Sequence, residues 1–147
     1  MNPGKDELQK GSQFIKFIPG LSIISLNKEE AEMIYPGKTL KELATRAAKN
    51  VPYVVVTDGQ HGAVATDRHN TVFADIYKDV PVVDRSGAGD AFSSGFVAAI
   101  AAGESIAKAM TFASANSTSV VSKIGSKTGI LAHGAPVHEM PLKVTDI

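Results

Sequence analysis

A glycine-rich turn set between two carboxylates carries the strongest chemical signal in this chain, Asp84-Arg85-Ser86-Gly87-Ala88-Gly89-Asp90. The apolar run Val80–Val83 ahead of it reads as a strand, and a helical pattern opens behind it. A small-residue turn between a strand and a helix N-terminus is a ready anion site, because unpaired backbone amides and the helix dipole face it together. Asp90 conflicts with that reading. A carboxylate at the mouth of an anion site repels phosphate, unless its task is to take a proton from a group attacking that phosphate.

Two further stretches place polar or glycine residues where an apolar run ends. Leu21–Leu26 runs into Asn27-x-x-Glu30, and Val51–Thr57 runs into Thr57-x-Gly59-x-x-Gly62. Each also has a plainer reading. Asn27 with Glu30 suits a capped helix with an acidic first turn, and Thr57-Asp58-Gly59 suits an ordinary turn. Several standard motifs fail. Phe92 occupies the third glycine position of a dinucleotide fingerprint, Gly125-Ser126-Lys127-Thr128 lacks the order of a Walker-type loop, and Ala91 breaks a serine-hydrolase elbow. His61 and His69 fall in turns, and His133 and His138 in an irregular tail without matching ligands, so no zinc site is expected. The serines at 93, 94, 114, 117, 119 and 122 read as small residues that let helices pack closely.

The elements that must position these residues alternate between strand and helix. Helical patterns are expected over 5–19 (weakly), from Lys28 to the Pro36-Gly37 break, over 40–49 behind a Thr39 cap, from Asp90 to about Ala102, and from Glu104 to about Lys123. Strands are expected at Leu21–Leu26, Val51–Thr57 and Val80–Val83, with a hairpin of Ala63–Thr66 and Thr71–Tyr77 around Asp67–Asn70. Such alternation predicts an α/β fold with a mostly parallel sheet, whose ligands sit at the carboxyl ends of the strands. Residues 130–147 show little periodicity and read as a tail beyond a single 1–129 domain.

Composition narrows the function classes. At 147 residues with no net charge, no tryptophan and scattered lysines and arginines, the chain gives little support to nucleic-acid binding. The absence of cysteine excludes disulfides and cysteine-ligated metals and fits a reducing compartment. The longest apolar run, Phe96–Ala102, is far short of the roughly 20 residues that a membrane span needs. A cytoplasmic protein is expected.

Taken together, the motifs resemble the ribokinase-like (PfkB) carbohydrate kinase family. D-R-S-G-A-G-D-A-F-S-S-G-F is similar to its C-terminal signature, Asn27-x-x-Glu30 to its N-x-x-E motif, and V-V-V-T-D-G-Q-H-G-A to its T-x-G-x-x-G segment; the likeness runs to about Gly129. Arg85 stands where Thr or Ser is usual, and Ser114 where many members carry Asn. The resemblance implies a three-layer α/β/α ribokinase-like fold, represented by its C-terminal part, with the first strands, the lid and the sugar-holding glycine motif absent.

It also implies ATP-dependent phosphoryl transfer to a sugar or nucleoside hydroxyl. In that scheme Asp90 is the general base, and the amides of Gly87, Ala88 and Gly89 form the anion hole. Asn27 and Glu30 position Mg²⁺, while Thr57, Gly59, Gly62 and Ser114 border the nucleotide. Asp84 and the Ser86 carbonyl match a site for a monovalent cation such as K⁺. ATP and a small sugar or nucleoside are the implied partners, and an exposed sheet edge makes a homodimer a further expectation. The competing reading is a non-catalytic nucleotide-binding fragment or interaction module that lacks the sugar-binding part.

Overall fold

The computed structural model describes residues 1–9, 12–132, 134–137, 139 and 142–146. They gather into two compact units, Met1–Phe73 with Val144–Ile147, and Ala74–Lys143.

In the first unit the expected weak helix over 5–19 is two single turns, α1 (Lys5–Leu8) and α2 (Ser12–Ile15), followed by a 3₁₀ turn at Ile18–Gly20. Strand β1 (Ile23–Asn27) pairs in parallel with β2 (Tyr53–Thr57), from Ile23 opposite Tyr53 to Asn27 opposite Thr57. Parallel neighbours need a long crossover, supplied here by α3 (Lys28–Ile34) and α4 (Leu40–Ala47). Both helices start with a reciprocal capping box, Asn27 with Glu30 and Thr39 with Glu42. Val54, Val55 and Val56 are all fully buried. Successive strand residues face opposite sides, so β2 is covered on both faces, as its unbroken β-branched run predicts. Leu43, Ala44 and Ala47 of α4 pack into the same core as Ile24, Leu26, Val54 and Val56.

Strand β3 (Ala63–Thr66) returns antiparallel to β2, with Thr57 opposite Ala63 and Val54 opposite Thr66. The link is only Asp58–Gly62, too short for a crossover, and this limits the expected parallel pairing to β1 and β2 among the registers described. Strand β4 (Asn70–Ala74) follows a tight turn and ends three residues short of the expected Tyr77. There the Asp67 carboxylate accepts the amides of His69 (3.0 Å) and Asn70 (2.8 Å), and Arg68 adopts a positive φ of 74°. The strand order is β1-β2-β3-β4-β5, where β5 is Leu142–Asp146. A strand therefore lies inside the stretch read as a tail of little periodicity.

In the second unit Val80–Val83 forms no strand, contrary to expectation. Pro81 has no amide to give a ladder. The amides of Val83 and Asp84 both go to the Val121 carbonyl, at 2.8 and 3.1 Å, and Val82 and Val83 stay more than half exposed. Helix α5 (Ala88–Ala101) follows; Gly103 turns the chain at φ 83°, and Ser105 caps α6 (Ile106–Val121). The two helices pack tightly because α5 presents small residues. A Cβ on Gly95 would lie 3.3 Å from the Ala113 Cα. Phe92, Phe96 and Ala99 face inward from α5, and Ile106, Ala109, Met110, Ala113 and Val120 of α6 are buried.

Candidate active site

The second unit holds the glycine turn. Gly87 is the N-cap of α5 in the left-handed conformation, φ 78° and ψ 0°. A side chain there is excluded twice over: the conformation disfavours L-residues, and a Cβ would overlap the Ser126 carbonyl oxygen. The first i→i−4 bond of α5 runs from the Ala91 amide to the Gly87 carbonyl (2.8 Å), so the amides of Ala88, Gly89 and Asp90 precede the helical ladder. The Ala88 amide closes a long turn bond on the Arg85 carbonyl, 3.3 Å. Gly89 and Asp90 are exposed in the first turn, and a Cβ on Gly89 would meet nothing within 4 Å. The dipole of a 14-residue helix thus opens at a surface that a small anion can reach.

Asp84 fastens this turn to the loop that follows α6. Its Oδ1 accepts the Ser86 amide (2.9 Å) and its Oδ2 the Gly125 amide (3.1 Å). The bonds from Ser86, and then the one from Gly125, hold the Asp84 carboxyl below the ordinary aspartate range. Ser114 is buried in α6, 6% exposed. Two neighbours grip the first turn of α5: Asn116, which sequence patterning passed over, and Ser117, expected only to let helices pack closely. Asn116 Nδ2 donates to the Ala91 carbonyl (2.7 Å) and Ser117 Oγ to the Ala88 carbonyl (2.9 Å). The signal was an asparagine in mid-helix, where its type is a poor helix former and needs another reason to be present.

The first unit holds the other candidates. Asn27 and Thr57 end adjacent parallel strands in register, so both stand at the carboxyl edge. Asn27 Oδ1 accepts the Glu30 amide and Glu30 Oε2 accepts the Asn27 amide, both at 2.9 Å. The plainer reading of this pair is therefore realised: it caps α3. Glu30 is only 8% exposed. Beyond Thr57 the turn is a 3₁₀ segment, Gly59–His61, with Gly59 and Gly62 at φ 51° and 88°, closed by the Asp58 amide on the Gly62 carbonyl (2.8 Å). Asp58 Oδ2 forms an ion pair with Lys28 Nζ at 3.4 Å and lies 3.6 Å from His61 Nδ1, a polar cluster at the strand ends that residue spacing did not single out.

His61 and His69 are exposed, as expected of turn residues, while His133 and His138 lie outside the described residues. Among the described residues no cluster of three or more His, Cys, Asp or Glu side chains is arranged to hold a metal. No helix among them is long and apolar enough to cross a membrane.

Comparison with known proteins places most of the chain in one family. The family model for pfkB family carbohydrate kinases matches residues 6–132. The chain is 31% identical over 105 residues to the ribokinase of Bacillus subtilis (strain 168), covering 71% of this chain and 34% of that one. Among solved structures, the nucleoside kinase of Methanocaldococcus jannaschii, described as an archaeal member of the ribokinase family, superposes with a TM-score of 0.75 at 25% identity, covering 88% of this chain and 43% of its own. A ribokinase of Arabidopsis thaliana complexed with ribose and ATP gives a TM-score of 0.69 at 25% identity, covering 78% and 39%. The chain spans about a third, or less, of the length of the curated relatives it matches.

Proposed function

The chain belongs to the pfkB family of carbohydrate kinases, and from that membership we propose that it serves ATP-dependent phosphoryl transfer to a hydroxyl of a sugar or nucleoside. The observation that carries the reading is the turn at Gly87, whose left-handed conformation opens α5 with Gly89 uncovered and Asp90 in the first turn.

The roles follow from the chemistry of each group. Asp90, a carboxylate at the helix mouth, draws the proton from the attacking hydroxyl. The first-turn amides of α5 stabilise charge on the phosphoryl oxygens, with Gly87 and Gly89 providing the backbone shape and the open approach and Ala88 completing the turn. Thr57, Gly59 and Gly62 are the nucleotide candidates of the first unit, and Ser114 is that of the second.

The residues present fit a magnesium ion that is held mainly by phosphate and water. Asn27 and Glu30 offer oxygen ligands, and the described residues form no cage of carboxylates. Mg²⁺ neutralises phosphate charge when bound. The Asp84 carboxylate has about four lone-pair sites, more than the bonds from Ser86 and Gly125 use, so with the Ser86 carbonyl it suits a monovalent cation such as K⁺.

One observation favours a second reading for this polypeptide by itself. It spans 43% of the nucleoside kinase it superposes on, and positioning the acceptor supplies a large part of such catalysis. Alone, the chain then binds MgATP without useful turnover. A coupled ADP-release assay over a sugar and nucleoside panel, with calorimetric titration of ATP, separates the readings. Turnover abolished by Asp90→Asn with ATP binding retained supports the kinase reading. ATP binding without turnover supports the second, and no ATP binding rejects both.

A further inference from the structure

We propose that Asn116 is a positioning residue that couples the first turn of α5 to the 125–131 loop; the inference rests on the reading of that turn as the anion hole and base. The Asn116 side chain is 98% buried and uses both ends of its amide, the nitrogen on the Ala91 carbonyl at 2.7 Å and the oxygen on the Leu131 amide at 2.8 Å. Its orientation is fixed by its partners, since a carbonyl only accepts and a backbone amide only donates.

The 125–131 loop is thereby tied at both ends. Its Gly125 amide bonds Asp84 Oδ2 at 3.1 Å, its Leu131 amide bonds Asn116, and Ser126 packs directly on Gly87. Asp84 also holds the Ser86 amide. One buried side chain therefore links the helical turn bearing Asp90 to the loop against which the glycine turn is moulded. Gly95 makes this possible, because a Cβ there would lie 3.3 Å from Asn116 Nδ2. Ser117 adds a parallel tie from the next residue of α6 to the Ala88 carbonyl, 2.9 Å.

The residue type follows from the two bonds. Ionised aspartate keeps the acceptor for Leu131 but has no hydrogen for Ala91, leucine does neither, and glutamine is too long for the notch at Gly95. Asn116 touches no reacting atom in this scheme. It sets where the first-turn amides point, so its loss should weaken the grip on phosphates more than the grip on a nucleoside.

The test compares the wild-type chain with Asn116→Ala, Asn116→Asp and Ser117→Ala by amide hydrogen exchange, and by titration with MgATP and with adenosine. In Asn116→Ala the amides of Ala91, Phe92 and Leu131 should exchange about tenfold faster, with Val55 unchanged as a reference. In Asn116→Asp only the α5 amides should quicken. Affinity for ATP should fall about tenfold in both variants, with adenosine affinity within about twofold. Ser117→Ala should quicken the Ala91 and Phe92 amides alone. The proposal is overturned if the α5 amides are unchanged in both Asn116 variants, or if ATP and adenosine affinities fall alike. If the wild-type chain takes up no ATP, the kinase reading falls instead, and the exchange pattern alone decides whether Asn116 couples turn and loop.

Discussion

Asn27 and Thr57 are register partners at the last position of the parallel pair β1 and β2. Two polar side chains from segments 30 residues apart are thus held side by side by backbone pairing, at the strand edge where α/β proteins bind ligands. The same Asn27 also caps α3, so its structural and chemical roles have to be separated by the choice of variant.

Asn27→Ala should cost about 1 kcal/mol of unfolding free energy, the usual worth of an N-cap, measured by urea denaturation. Asn27→Asp preserves the cap and should keep stability within about 0.5 kcal/mol. If Asn27 serves the phosphate and metal, the aspartate variant should nonetheless change ATP affinity. An unaltered calorimetric isotherm would reduce Asn27 to a cap.

Gly87 and Gly89 should respond to alanine in opposite ways. Gly87→Ala forces a left-handed L-residue against the Ser126 carbonyl and should lower stability by at least about 1–2 kcal/mol. Gly89→Ala has open space and a helical position, so it should hold or raise the melting temperature, gaining up to about 1 kcal/mol. It should still weaken ATP binding by crowding the anion approach. A Gly89→Ala chain that binds ATP like the wild type would show that nothing approaches that amide closely.

Asp84 makes stability depend on pH in a definite sense. Its folded pKa is depressed by the Ser86 and Gly125 bonds, so its contribution is fully present above the unfolded value of about 3.9 and is lost as pH falls through the lower folded value. The stability advantage of wild type over Asp84→Asn should therefore be flat from about pH 7 to 5 and shrink below about pH 4. An advantage that persists undiminished to about pH 2 would show that the carboxylate charge is not what holds the Gly125 loop.

Self-association is expected through exposed apolar side chains of the second unit. Ile124 is 79% exposed, and Val82 and Val83 are 57% and 54% exposed. Static light scattering should show mass rising with concentration, and Val82→Ser with Ile124→Ser should lower it. A wild-type chain that stays monomeric at every concentration contradicts this.

Much of this architecture was legible from local chemistry. The Asn27 and Thr39 caps, the covered β2 run and the apolar face of α6 each rest on short-range patterns that tertiary context reinforces. What escaped depended on partners distant in the chain. Val80–Val83 has the composition of a strand, yet its amides are drawn to the Val121 carbonyl, 38 residues away from Val83. Strand β5 is only five residues, and its place beside β4 is set by pairing with a segment distant in the chain. Asn116 sits between apolar positions of a helix, and only the packing of α5 shows what its amide reaches. For the candidate site, residue types and spacing located the glycine turn and the strand exits. The Asp84 tie to Gly125 needed the fold.

The Asp67–Asn70 turn has a practical use. Because β3 runs antiparallel to β2, this turn lies at the opposite end of the strands from Thr57 and Gly62, roughly 13 Å of strand away. His69 is exposed there, and the chain contains no cysteine. His69→Cys would therefore give a single thiol for a fluorophore or a surface tether, reporting on the first unit without intruding on its carboxyl edge.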